Sequence, residues 1–463
     1  MAIRGTRVTE TRFTSINPVN GQVIASYAQD DAAAIERKLS SLSDGQMTWA
    51  SQNVSHRAAC LLRLADALDT HRERLASSMV LEMGKPIRQA RAEVRKCASL
   101  CRYTAETGPA ALHSQQVAMD GRQAQLRFDP LGCVLAVMPW NFPYWQVVRL
   151  AVPTLLAGNA VLIKPAPNVL ASAAALVELF HQAGIPVIEN IYCDNAQTAA
   201  VIADPRIAGV SLTGSRRAGK AVAAQAGKYL KKCVLELGGS DPYLVLADAD
   251  LALAVDRCVA GRFNNTGQTC VAAKRWIVVD ALYDAFREAV LSRLAVLNSG
   301  DPMQADTDLG PMARADLRET LHRQVQQSIA AGASCTLGGT IPAGAGFYYP
   351  PTLLEQVAPG MPAFDDELFG PVAALIRAAD DEEAVRLAND SRLGLGAAVF
   401  SRDIDKALAI AGRLQAGNVA INDFVRSDPR LPFGGVKESG YGRELATYGM
   451  LEFVNIKAVV CGV

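Results

Sequence analysis

The stretch GVSLTGSRRAGKAVAAQAGKYLKKCVLELGG, residues 209–239, decides the fold. Gly209 to Leu212 reads as a buried strand. Ala218 to Leu230 repeats small and apolar residues at helical spacing, and Cys233 to Leu237 reads as a second strand closed by Gly238-Gly239. Strand, helix of about a dozen residues and strand again make a βαβ unit, which implies an open parallel sheet. The Gly214-Ser215 turn, at the opening of the helix, has the geometry that holds phosphate at a helix N-terminus. Gly214 to Lys220 matches most of a P-loop, but Ala221 stands where a magnesium-binding hydroxyl belongs, so the nucleotide-hydrolase reading fails. No G-x-G-x-x-G fingerprint occurs, and a generic βα turn is the alternative.

The same alternation extends upstream and downstream. Leu126 to Phe128, Cys133 to Met138 and Val161 to Ile163 read as strands, and Ala171 to Gln182 as a helix. Asp31 to Ala105 is helical in period, with one helix ending near Gly84. Beyond Gly239, Tyr243 to Leu246, Trp276 to Val279 and Ala373 to Arg377 read as strands. Tyr283 to Leu297, Leu317 to Ala331 and Glu382 to Asn389 read as helices. Two α/β lobes with a boundary near Gly238-Gly239 account for this pattern.

Composition narrows the function classes. A chain of 463 residues is long enough for two or three folded units. Its 46 basic and 46 acidic residues balance, without like-charge blocks, which excludes electrostatic capture of nucleic acid or an anionic membrane. The start MAIRGTRVTE has no apolar signal region, and apolar runs such as Ala151 to Leu156 are far too short to span a bilayer. The expectation is a cytoplasmic protein. Ten cysteines lie scattered with no C-x-x-C pair, and five histidines lie far apart, so neither a disulfide framework nor a metal site is expected.

Three further segments carry chemistry. In FNNTGQTCVAAKR, residues 263–275, Cys270 follows small polar residues whose backbone N–H groups can hold a thiolate or an oxyanion; most free cysteines, however, are core residues. In VLELGGSDP, residues 234–242, Glu236 stands among apolar neighbours, where desolvation raises a carboxyl toward a general base. The alternative is an ion pair. In MPWNFPYWQVVR, residues 138–149, Asn141 follows a buried strand and can donate to an oxyanion. A packing turn is the bland reading.

Together these segments resemble the aldehyde dehydrogenase superfamily. In order, the chain shows Pro139-Trp-Asn-Phe-Pro143, Lys164-Pro165, Leu212-Thr-Gly-Ser215, Leu235-Glu-Leu-Gly-Gly239 and Gly267-Gln-Thr-Cys270. Glu367-Leu-Phe-Gly-Pro371, Pro432-Phe-Gly-Gly-Val-Lys437 and Ser439-Gly440 follow. The resemblance implies a Rossmann-like cofactor domain (1–110 and 132–236), a second α/β catalytic domain (237–430) and a small β oligomerisation extension (111–131 and 445–463). It implies Cys270 as nucleophile, Glu236 as general base, and Asn141 with the Cys270 N–H as oxyanion hole. Lys164 would bind the adenosine ribose, Gly214 and Ser215 the pyrophosphate, Glu367 the nicotinamide ribose, with Trp140 and Phe369 at that pocket. The reaction implied is thiolate attack, hydride transfer to NAD or NADP, and hydrolysis of a Cys270 thioester.

Particular positions refine the resemblance. Many relatives carry a glutamate where this chain has Pro167; without that acid NADP is admitted, while overall resemblance favours NAD. Only sixteen residues precede Asn17, and the expectation is that the extra leading strand of many relatives is absent. Arg149, nine positions after Trp140, resembles the carboxylate-binding arginine of succinate-semialdehyde dehydrogenases, and the chain is most similar overall to their short bacterial forms. A second arginine of several such enzymes is replaced by Asn264; Arg426 or Ser427 could substitute. The alternatives are a broad-specificity aldehyde dehydrogenase with a structural Arg149, a CoA-acylating relative, a cofactor-free thiol hydrolase, and a non-catalytic binding protein. Leu451 to Cys461 reads as an edge strand that needs a partner, so a homodimer or homotetramer is expected.

Overall fold

The computed structural model describes residues 12–462. Five parallel strands form the heart of a first sheet. Their order across it is Lys232–Glu236, Ile207–Thr213, Cys133–Val137, Ala160–Lys164 and Ile188–Asn190, with the short Gly440–Tyr441 strand antiparallel at one edge. The chain builds outward from Cys133–Val137 in one direction, then returns to add Ile207–Thr213 on its other side. That reversal opens a crevice beyond the carboxyl ends of these two strands, the usual place for a ligand in such sheets. Val134, Leu135, Val161, Leu162 and Val210 are buried, the pattern of strands covered on both faces.

The 209–239 unit is observed with small shifts. Its strands are Ile207–Thr213 and Lys232–Glu236, and its helix is Arg216–Lys228 with Ser215 as N-cap. The helical region upstream divides into four helices, Ala32–Ser51, Val54–Thr70, Arg72–Met83 and Ile87–Ala111. Trp145–Leu156 forms a further helix that the apolar run at Ala151 did not disclose. The expectation about a leading strand concerns residues before 12, outside the described ones.

Leu237 to Ser240 carry the chain from the carboxyl end of Lys232–Glu236 into the amino end of Asp241–Val245, a strand of a second sheet. That sheet has seven strands among the described residues, parallel except for the Ser334–Leu337 and Thr352–Glu355 pair. The seam between the sheets therefore joins strand carboxyl ends on one side to strand amino ends on the other. A third, antiparallel sheet orders Val454–Cys461, Arg122–Pro130 and Gln115–Met119. No helix among the described residues is long and apolar enough to cross a membrane.

Candidate active site

Cys270 stands in the turn before strand Ala273–Val279, at the seam. The preceding turn, Asn264–Gly267, is left-handed: Asn265 and Thr266 each have φ of 54°, and Gly267 has 71°. A β-branched residue in that region is strained by about 1–3 kcal/mol and persists only where its surroundings force it. Here they do. Thr266 Oγ1 donates to the Gly310 carbonyl at 3.2 Å and accepts from the Gly310 N–H at 3.1 Å. Asn265 Nδ2 donates to the Asn141 carbonyl at 2.9 Å. The fully buried Arg262 donates to Gly267 O at 3.2 Å, Leu368 O at 2.8 Å and Val372 O at 2.5 Å, and also to Gly370 O. One guanidinium thus ties the cysteine turn to the loop bearing Glu367 and Phe369. At Gly267 a Cβ would stand 2.3 Å from Gly370 O, so no other residue allows this approach.

Two cavities, each of about 910 Å³, meet at Cys270. The first is built on strand ends. Pro139, Trp140 and Asn141 follow Cys133–Val137; Thr213, Gly214 and Ser215 follow Ile207–Thr213; Glu236 to Gly238 end Lys232–Glu236; Glu367 and Phe369 face them from the second lobe. The Trp140 and Phe369 rings meet edge to face at 5.7 Å. Glu367 Oε1 accepts from the Gly239 N–H at 3.2 Å and faces Lys274 Nζ at 3.4 Å. A Cβ on Gly238 would lie 2.1 Å from Glu367 Oε2, so glycine makes room for this carboxylate. Lys164 ends the neighbouring strand outside the cavity's lining.

The second cavity is lined by the helix residues Glu93, Lys96, Gln146 and Arg149, by Asn264 and Thr269, and by the loop Phe424 to Ser427. Among the described residues, only Cys270 and Gln146 line both cavities. Arg149 is buried and ion-paired with the equally buried Glu444, while its Nη2 has no hydrogen-bond partner. Its guanidinium lies 4.7 Å from the Phe433 ring centre. Arg426 is exposed and pairs with Asp423 at 2.9 Å. Ser427 Oγ accepts from Lys96 Nζ at 2.6 Å.

Burial dominates the electrostatics. Glu236 is 2 % exposed and its Oε1 has no hydrogen-bond partner among the described residues. Desolvation pushes it well above the carboxylate range, with Glu444 adding and Arg149 and Arg443 opposing. Burial pushes the Cys270 thiol up to about 11, against the pull of Arg149 and Lys274. The ion pair considered for Glu236 is not formed; its nearest cation by influence, Arg149, is committed to Glu444. Asn141 is 4 % exposed and donates through Nδ2 to Gln268 O at 3.0 Å, which fixes its amide at the mouth of both turns.

Several residues here escaped sequence reading. Lys85 donates to the Asn141 carbonyl at 2.8 Å and pairs with buried Glu93, whose Oε1 accepts from the Tyr144 and Trp145 N–H groups at 3.0 Å each. This pair holds the Pro139–Pro143 turn. Lys274 donates to the Cys270 carbonyl at 2.6 Å. For Glu444, the signal available was its place four residues after Ser439-Gly440. For Lys96 and Glu93, two charges on a long amphipathic helix, there was none.

The site combines a thiol beside a strained turn, a desolvated carboxyl and a crevice at a strand-order reversal, and the comparisons place it in an oxidoreductase class. The chain belongs to the aldehyde dehydrogenase family, whose sequence profile matches residues 6–459. It is 50 % identical to Escherichia coli (strain K12) succinate semialdehyde dehydrogenase Sad, NAD(P)+ by its name, over 97 % of this chain and 98 % of that one. It is 44 % identical to the NADP+ succinate-semialdehyde dehydrogenase of Deinococcus radiodurans, covering 97 % and 95 %. Among solved structures, Streptococcus pyogenes succinic semialdehyde dehydrogenase in complex with NADP+ superposes with a TM-score of 0.95 at 35 % identity, covering 96 % and 99 %.

Proposed function

We propose that this chain oxidises succinate semialdehyde, or a similar ω-carboxylated aldehyde, to the diacid with NAD(P)+ and water. The observation that carries the reading is the single thiol, Cys270, shared by a strand-end crevice and a cation-bearing cavity. The names of the relatives at 50 % and 44 % identity support the substrate.

The strand-end cavity fits a dinucleotide. Ser215 caps a 13-residue helix whose first N–H groups suit a pyrophosphate, and the Thr213 hydroxyl lies buried without a partner. Gly214 and Ser215 would hold the phosphates, Lys164 the adenosine ribose and Glu367 the nicotinamide ribose, with Trp140 and Phe369 around the ring. The nicotinamide supplies the hydride acceptor. Pro167 brings no carboxylate against a 2′-phosphate, so NADP+ is accepted as well as NAD+.

The protein's own part is acid–base and electrostatic. Glu236 would take the Cys270 proton and pass it to solvent; the thiolate adds to the aldehyde carbon, and the carbonyl electron pair moves to oxygen. Asn141 Nδ2 and the Cys270 N–H donate to that oxyanion. After hydride loss the acyl group remains on sulfur as a thioester. Glu236, raised by burial, takes a proton from water, whose oxygen displaces the thiolate and releases the acid. Arg149, through its unpartnered Nη2, and Ser427 would receive the distal carboxylate, with Arg426 at the rim.

Segments 1–110 with 132–236 form the cofactor domain in this reading, and 237–430 the catalytic domain. The strands of 111–131 and 445–463 form an oligomerisation extension, with Val117, Met119, Ile456 and Val460 exposed on them. A homodimer or homotetramer accounts for that edge, and its location in this reading is cytoplasmic. The Arg149–Glu444 ion pair favours one second reading, a broad-specificity aldehyde dehydrogenase in which Arg149 is structural. Initial rates of NADPH and NADH formation with succinate semialdehyde and with butanal decide between them. Preference for the carboxylated aldehyde upholds the proposal; equal or better turnover of butanal favours broad specificity.

A further inference from the structure

Four charged side chains line the cavity that opens on Cys270 from the helix side: Glu93, Lys96, Arg149 and Arg426. Three of them are neutralised within the protein. Glu93 pairs with Lys85, Arg149 with Glu444, and Arg426 with Asp423. Lys96 pairs with no carboxylate among the described residues. Its Nζ lies 4.1 Å from the Trp145 ring centre and donates to Ser427 Oγ at 2.6 Å. An ammonium pressed against an indole face and left without a counter-ion is stabilised when an anion arrives. The Ser427 hydroxyl accepts from Lys96 and keeps its own proton free to donate. The two groups together present donors to both oxygens of one carboxylate.

We propose that Lys96, with Ser427, is the residue that selects the distal carboxylate of the aldehyde substrate. The inference rests on the reading of the substrate as an ω-carboxylated aldehyde and adds the residue that recognises it. Arg149, its charge balanced by Glu444, supplies at most one further donor. Lys96 is a specificity residue and does not touch the reacting atoms.

The charge of Lys96 also sets a pH dependence. Burial, with Arg149 beside it, lowers it to about 8 against the upward pull of Cys97, Glu93 and Asp428. The cation is present below that value and lost as pH rises through it, so preference for a carboxylated aldehyde falls on the alkaline side.

The test measures kcat/KM for succinate semialdehyde and for butanal, with NADP+, in wild type, Lys96→Met and Lys96→Arg. Loss of a charge-assisted hydrogen bond lowers the ratio of the two constants by about tenfold or more in Lys96→Met, chiefly through KM, and Lys96→Arg restores most of it. An unchanged ratio in Lys96→Met, or equal losses on both substrates, overturns the role of Lys96 while the substrate reading stands. A wild-type enzyme without preference for succinate semialdehyde defeats that reading itself. Should Lys96→Met fail to fold, the wild-type ratio followed from about pH 7 to about 9.5 decides: a fall upholds the proposal and a flat profile overturns it.

Discussion

The two cavities that meet at Cys270 are built from different kinds of structure. On the strand-end side, many lining residues sit at or just beyond the carboxyl ends of parallel strands, where the sheet's ladder fixes the backbone that launches them. On the other side they come from the faces of helices Ile87–Ala111 and Trp145–Leu156 and from the late loop Phe424 to Ser427. Chemistry common to a whole family can be fixed to strand ends. Choice of substrate can vary on helix faces without disturbing the sheet. The cations follow the same division: Lys96, Arg149 and Arg426 line the helix side, while the strand-end side carries the carboxyls of Glu236 and Glu367.

The largest effect expected is at the point the cavities share. Cys270→Ser should lower aldehyde oxidation by more than about a thousandfold. NADP+ should still bind, as read by tryptophan fluorescence; lost cofactor binding would mean that the cavities are not separable. Next, Glu236→Gln should lower steady-state turnover by about a hundredfold or more but leave a stopped-flow burst of reduced cofactor. Without a burst, Glu236 acts before the thioester. In the wild type, a base raised above its ordinary value is protonated as pH falls, so the acid limb of kcat should lie well above the usual carboxylate range. The same shift bears on stability with a definite sign. A raised carboxyl favours the fold below its unfolded pKa, and that contribution is lost as pH rises through the folded one. Glu236→Gln should therefore gain stability over wild type on going from acid to neutral pH, a trend that urea melts at several pH values would detect.

Arg149 sharpens the comparison from the helix side. Arg149→Met leaves Glu444 buried without a partner and should cost about 3–5 kcal/mol in urea unfolding, because the remaining charge is uncompensated. A change below about 1 kcal/mol would place the pair among the weak ones. The smallest effect is expected at the cofactor edge, where Pro167→Glu should shift the NADP+/NAD+ ratio of kcat/KM toward NAD+ by about tenfold, since an acid there repels a 2′-phosphate. No shift would mean that position 167 does not face the ribose.

Legibility followed the same line as construction. The βαβ unit at 209–239 was readable because strand and helix periods alternate within thirty residues, and the boundary at Gly238-Gly239 falls where the chain changes sheets. Cys270, Glu236, Asn141, Ser215 and Glu367 could be singled out because each lies in a short motif that also forms the local turn. All five line the strand-end cavity. Lys164 was legible as a strand end but lies outside that lining. The helix Trp145–Leu156 is buried on every side, so its apolar residues mark no single face to read.

The sequence by itself determined the parallel-sheet architecture and the order of the strand-end motifs, and it singled out Cys270 as the candidate thiol, because those depend on residues near one another in the chain. Only the tertiary structure decided which charges are already satisfied. Arg149 and Glu444 are 295 residues apart, and Lys96 and Ser427 are separated by 331. A cation on a helix reads the same whether its partner is a buried carboxylate, a hydroxyl or a substrate. The packing that brings distant segments together makes the difference, and with it the division between a structural ion pair at Arg149 and an uncommitted ammonium at Lys96.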